Sequence, residues 1–211
     1  MIEIITIESV IVFVLCYIIG SFPTAYLLVK AASGKDVTRE GSGNVGTLNS
    51  FQVSKSKWVG IVVLLTDLFK GLVPVYIMMY VMNMAYPVAM IGACALILGH
   101  NYPVWLKFKG GRGLATGAGI FMIVNFYILV GWLLVWAAAF AFKRDVLIAN
   151  AAATFSLPLI VVLVNIFPWM VTGSGLNGFT LTYFTVFSLV ITFIILLRHT
   201  EVFKKSEKKV S

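Results

Sequence analysis

Two glycine-rich segments carry most of the chemistry this sequence could perform. The first is Gly41-Ser42-Gly43-Asn44-Val45-Gly46-Thr47-Leu48-Asn49, with three glycines in its first six residues. Closely spaced glycines let the backbone turn its N–H groups toward one point, a nest that binds anions, and Ser42 and Asn44 add side-chain donors. A run of this kind also makes a flexible linker, but here Lys and Arg flank it. The second segment is His100-Asn101-Tyr102-Pro103-Val104-Trp105-Leu106-Lys107-Phe108-Lys109-Gly110-Gly111-Arg112-Gly113, followed by Leu114-Ala115-Thr116. Lys109 and Arg112 bracket a glycine pair, and a helix beginning directly afterwards would aim its dipole and free N–H groups at whatever the glycines hold. Cations, glycines and a helix N-terminus describe a phosphate site, without the GxxxxGK[ST] spacing of a nucleotide-hydrolysing loop. A third cluster, Arg198-His199-Thr200-Glu201 with Lys204 and Lys205, closes the chain. A lone histidine there serves either as a helix-end cap or as a catalyst. Three polar clusters on one side of the molecule would suit a ligand bearing more than one phosphate.

Polar residues also interrupt otherwise apolar runs. Gly20-Ser21-Phe22-Pro23-Thr24 breaks the first, where proline removes a donor and kinks a helix. Asp67 and Lys70 are three residues apart and share a helical face. Ionisable groups inside an apolar span are costly and point into a bundle, so these two are expected to pair and order its inner end, the alternative being direct contact with a substrate. Ser21, Asp67 and Lys70 are therefore structural or positioning candidates. Cys16 and Cys94 lie in apolar runs with no CxxC or metal spacing, and read as buried thiols rather than metal ligands.

The elements that must position these groups cross a membrane. Of 211 residues, 60% are hydrophobic and only 11% charged, and the mean hydropathy is +0.99. A water-soluble globule of this length cannot bury that much apolar surface. Disorder, a coiled coil and an ordinary nucleic-acid-binding domain are excluded by the same numbers, and the net charge of +8 reports membrane topology instead. Met1-Ile2-Glu3 lacks the basic start of a cleavable signal, so the first apolar run is expected to remain as a span. The apolar runs are 10–32, 58–79, 84–98, 114–142, 146–167 and 180–197, with a tight hairpin expected around Asn83. Basic residues fall at Lys35 to Lys57, Lys107 to Arg112, Lys143–Arg144 and the tail, whereas the N-terminus and the segments around Asn83 and 172–177 have none. The positive-inside rule then places every basic loop in the cytoplasm. The stretch between Arg112 and Lys143 must then cross an even number of times, as two short or broken segments turning near Asn125; the alternative is one long tilted helix there, which would leave one basic cluster outside. The expected fold is an all-α polytopic bundle of seven transmembrane segments, N-terminus outside and C-terminus inside, forming one domain over 1–211 with a basic cytoplasmic tail at 200–211.

GSFP, GSGNVG, DLFKG, GHNYPVWLKFKGGRGLAT and the terminal RH occur in an order that resembles the bacterial integral-membrane acyl-phosphate:glycerol-3-phosphate acyltransferases of the PlsY type. The resemblance covers the whole chain. It implies a multi-pass protein of the bacterial plasma membrane, a monomer surrounded by lipid, with its active site on the cytoplasmic face. The implied reaction moves a fatty acyl group from acyl-phosphate to the 1-hydroxyl of glycerol 3-phosphate, giving lysophosphatidic acid and phosphate in phospholipid biosynthesis. No metal or organic cofactor and no nucleic acid are implied. Ser42, Arg112 and His199 become the catalytic candidates. Gly41, Gly43, Asn44, Gly46, Asn49, His100, Lys109, Gly110, Gly111, Thr116, Arg198 and Lys205 become the candidates for holding substrate phosphates.

The chain departs from the family pattern in places. Gly46-Thr47-Leu48-Asn49 stands where the family has GATN, Gln52 where it has arginine, Val202 where it has asparagine, and Arg112 where it usually has lysine. Arginine keeps the charge but changes the hydrogen-bond geometry. Either Lys55, Lys57, Lys204 or Lys205 substitutes for the missing arginine, or the acceptor differs, or the chain is an altered paralogue that binds headgroups without catalysis. An organic-phosphate transporter is the remaining alternative, since transporters also use broken helices and half-helix N-termini.

Overall fold

The computed structural model describes residues 6–167 and 178–210, with side chains described outside 178–180 and 200–210. Every regular element among the described residues is helical. The chain divides between Ile120 and Phe121 into two compact units.

In the first unit, α1 (Ile7–Ser21) opens with a reciprocal cap in which Thr6 and Ser9 each bond the other's backbone. Pro23 ends it, and α2 (Thr24–Ser33) resumes the same 27-residue apolar span until Gly34 stops it in a left-handed conformation. A short helix, α3 (Thr47–Ser54), precedes α4 (Lys57–Tyr76). Helix α4 runs into a π-helical turn at Ile77–Val81, and Asn83 reverses the chain at φ 49°. The hairpin expected around Asn83 is thus present, and α5 (Tyr86–Asn101) returns along α1 and α4. After a 3₁₀ turn at Val104–Leu106 comes α6 (Leu114–Val124), eleven residues long. It sits hard against α4, because a Cβ at Gly71 would collide with the Thr116 carbonyl and one at Gly119 with the Leu68 carbonyl. Two glycines therefore set this separation, as small residues do between membrane helices.

The second unit holds α7 (Phe126–Lys143), α8 (Val146–Ile166) and α9 (Gly178–Val210). Asn125 breaks α6 from α7 where a turn was expected, and its side chain caps α7 by accepting from the N–H groups of Tyr127 and Ile128. Of these two segments, one is as short as expected. The other, at 18 residues, is long enough to cross a bilayer by itself. Arg144 at φ 52° and the Asp145 cap turn α7 into α8, and the Trp136 indole donates to Asn150 at 2.7 Å between them. Six helices among the described residues are long and apolar enough to span a membrane: 7–33, 57–81, 86–106, 126–143, 146–166 and 181–199. The segment 172–177 and the Lys205 side chain, both named from sequence, lie outside the described residues.

Candidate functional site

The first glycine-rich loop is held from beneath by apolar anchors. Val37 and Val45 bury fully among Ala25, Val29, Val53 and Val63, so both ends of the loop are packed onto α2, α3 and α4. Burying such a side chain is worth about 1.5–3 kcal/mol, which tethers the stretch to the helices at both points. Inside it, the Asn49 amide donates to the carbonyls of Val37, Glu40 and Asn44 at 3.0–3.1 Å, while its oxygen accepts from the Ser42 N–H at 2.9 Å. Gly41 and Gly43 take φ values of 58° and 70°, which give the loop its reversals. At its start, the Thr38 hydroxyl donates to Asp36 at 2.7 Å and is the main influence holding that carboxyl below the usual range, with nearby Arg39 and Lys30 adding to it. Ser42 projects from the exposed side of the loop.

The second loop is pinned to the first. The Val45 N–H donates to the Gly110 carbonyl at 3.4 Å, and the Gly111 N–H donates to the His100 carbonyl at 3.0 Å. A Cβ at Gly111 would strike the His100 ring on one side and the Val45 carbonyl on the other. Only glycine fits between the two loops. Lys109 is exposed and Arg112 half-buried beside this pair, and α6 starts two residues after Arg112. Ser42, Asn44, Lys109 and Arg112 are thereby gathered around one junction of two glycine loops, with a helix N-terminus next to it.

Behind the junction lies a buried charged cluster. Lys70 Nζ donates to Asp67 Oδ1 at 2.8 Å and to the Phe22 carbonyl at 2.6 Å, at the break ahead of Pro23. The expected Asp67–Lys70 pair is present, and it also ties α4 to the α1–α2 break. His100 Nδ1 lies 3.7 Å from the same Asp67 oxygen. These side chains line a small polar pocket with Ser21 and Thr24, whose buried hydroxyls have no hydrogen-bond partner.

The expected site residues stand at different depths. Asn49, His100 and Thr116, expected to touch a ligand phosphate, are 1%, 8% and 0% exposed and stand behind the loops. The Asn49 amide is spent on its own loop, His100 backs Gly111, and Thr116 sits in the α4–α6 contact. Arg198 and His199 belong to the second unit, where His199 is buried and its Nδ1 lies 3.1 Å from the Ile195 carbonyl. Gln52 is exposed on α3. Sequence reading missed Tyr17, whose hydroxyl donates to the Tyr102 carbonyl at 2.7 Å and ties the second loop to α1, and missed Thr24 in the polar pocket. Thr24 follows a helix-breaking proline, a position where side chains often serve freed backbone groups. Tyr17 carries no signal beyond its apolar surroundings.

A family model described as "Glycerol-3-phosphate acyltransferase" matches residues 10–209. A protein of that name from Geobacter sulfurreducens is 38% identical across 88% of this chain and 87% of its own length. Another, from Endomicrobium trichonymphae, is 35% identical across 88% and 85%. A crystal structure described as PlsY (YgiH), an integral membrane glycerol 3-phosphate acyltransferase in its glycerol 3-phosphate form, superposes with a TM-score of 0.77 at 28% identity, covering 95% of this chain and 92% of that one. A second form of that protein, with lysophosphatidic acid, gives 0.74.

Proposed function

The chain belongs to the glycerol-3-phosphate acyltransferase family, and on that premise we propose that it acylates the 1-hydroxyl of glycerol 3-phosphate with acyl-phosphate as donor. The hydroxyl oxygen attacks the acyl carbonyl carbon, the carbon–oxygen bond to phosphate breaks, and the products are 1-acyl-glycerol 3-phosphate and inorganic phosphate, with the hydroxyl proton passing to the released phosphate. An acyl-phosphate is already activated. The protein can then work by positioning and by stabilising developing negative charge, with no covalent nucleophile.

The observation that carries this reading is the hydrogen bond from Val45 to Gly110, which fastens two glycine loops with their donors at one junction. Ser42 supplies a donor to the developing oxyanion, while Arg112 and Lys109 neutralise phosphate charge, assisted by Asn44 and the backbone at Gly41 and Gly46, with Gly43, Gly110 and Gly111 giving the two loops the shape that lets a phosphate approach. Asn49, His100, Asp67, Lys70 and Ser21 position the loops. For Arg198, His199 and Lys205, support for a role in the reaction comes from the family resemblance alone. The same reading includes a monomer in the bacterial plasma membrane, seven crossings with the N-terminus outside, the glycine loops on the cytoplasmic face, and a basic cytoplasmic tail at 200–211. It treats the whole chain as one functional domain.

Purified protein in detergent, given acyl-phosphate and glycerol 3-phosphate, tests the assignment. Phosphate release that requires both substrates supports it. Release without acceptor, or uptake of organic phosphate into vesicles with no chemistry, contradicts it.

A further inference from the structure

The turn from Pro103 to Lys109 has a conformation and a surface that the loop junction does not account for. It is closed on itself: the Pro103 carbonyl accepts from Leu106 at 3.1 Å and from Phe108 at 3.0 Å, and Lys107 and Lys109 donate back to Val104 and Leu106. Lys107 and Phe108 are consecutive residues in the left-handed region, at φ 52° and 62°. That conformation is costly for a bulky side chain and persists only where surroundings impose it. Its result is to turn Val104, Trp105 and Phe108 outward, 45%, 60% and 57% exposed, with Lys107 and Lys109 set between and beside them.

The charge pattern says what such a surface meets. Between residues 6 and 120, every Lys and Arg other than Lys70 lies between Lys30 and Lys57 or between Lys107 and Arg112. The hairpin at Asn83 returns α5 to the end where α4 began, so these segments share one end of the unit. Trp58 is 66% exposed at the start of α4, with Lys57 over its ring at 5.7 Å. The opposite turn, 81–85, has no charged residue. Aromatic rings with cations between them, at the end of membrane-spanning helices, match an anionic lipid surface in both its apolar and its charged layer.

We propose that Pro103–Lys109 is a rigid wedge that sits in the headgroup layer of an anionic membrane, with Trp105 and Phe108 buried among lipid and Lys107 on a lipid phosphate. Gly110 and Gly111 follow the wedge directly. Docking therefore holds the glycine junction at the depth where a membrane-borne acyl-phosphate presents its phosphate, a consequence that rests on the acyl-transfer reading. The wedge itself does not.

Hydrogen–deuterium exchange of the full chain in lipid nanodiscs, with no substrate present, tests the wedge separately from the reaction. Nanodiscs of phosphatidylcholine alone are compared with phosphatidylcholine mixed with phosphatidylglycerol. Amides of 104–108 should exchange several-fold more slowly in the anionic discs, and added salt should reverse the effect. Lys107→Gln should reduce the anionic preference by about fivefold, the value of one basic residue near such a surface. Phe108→Ser should remove protection in both lipids. Unchanged exchange in α4 and α5 peptides, from the same unit as the turn, shows that each variant is folded. Equal exchange in the two lipids overturns the proposal. So does undiminished protection in Lys107→Gln, or equal protection from inorganic phosphate added to phosphatidylcholine discs, which would make the turn a site for a soluble anion.

Discussion

In the proposed reaction Ser42 and Arg112 act on different parts of the same transition state. Ser42 offers a neutral donor from a loop whose shape Asn49 fixes, and Arg112 brings a charge to the neighbouring loop. Removing one preorganised oxyanion donor costs roughly 10²–10³ in rate. Ser42→Ala should therefore lower kcat by about that factor, and Arg112→Ala by at least as much, with both proteins folded. Steady-state kinetics in detergent check this, and near-normal rates would place the chemistry elsewhere. Gln52 makes a subtler case. It is exposed on α3, the helix that follows the first glycine loop. Gln52→Arg should lower KM for glycerol 3-phosphate while leaving that for the acyl donor alone, since a charge-assisted contact replaces a neutral one. An unchanged or higher KM would mean that another cation already fills the place. Asp67 belongs to stability. Asp67→Ala leaves the Lys70 ammonium buried beside a single carbonyl, and breaking such a pair costs about 3–5 kcal/mol. A melting temperature in detergent that does not fall would show the pair to be dispensable. At this scale the donors and cations were legible from residue type and spacing. The buried status of Asn49, His100 and Thr116 was not, because spacing along a chain does not say which side of a loop faces out.

Among the elements, helix breaks do the positioning. The break at Pro23 turns the Phe22 carbonyl toward the Thr24 N–H and Lys70, Asn83 returns α5 to the start of α4, and Asn125 ends α6 after eleven residues. All three were visible as punctuation in apolar runs, since proline and asparagine act locally. Packing distances were less visible. Gly71 and Gly119 draw α4 and α6 together by opposing carbonyls on the partner helix, a contact between residues nearly fifty positions apart in the chain. Valine in a glycine loop reads as an interruption in sequence, yet Val45 is both an apolar anchor and the donor that joins the two loops. Local patterns fix where helices stop. Which surfaces meet depends on residues far apart.

For the whole molecule, the charge asymmetry makes the clearest prediction. Cysteines introduced at 107 and 143 in a background lacking Cys16 and Cys94 should both be labelled from the cytoplasmic side by an impermeant reagent. Labelling from opposite sides would leave α6 and α7 as a single crossing and remove the seven-crossing topology. Acyl transfer itself is read from the product balance of the purified, wild-type chain supplied with acyl-phosphate and glycerol 3-phosphate, followed by mass spectrometry. 1-Acyl-glycerol 3-phosphate and inorganic phosphate should form in equal amounts, neither appearing when one substrate is left out. Free fatty acid and phosphate with no acylated glycerol phosphate would contradict acyl transfer to glycerol 3-phosphate.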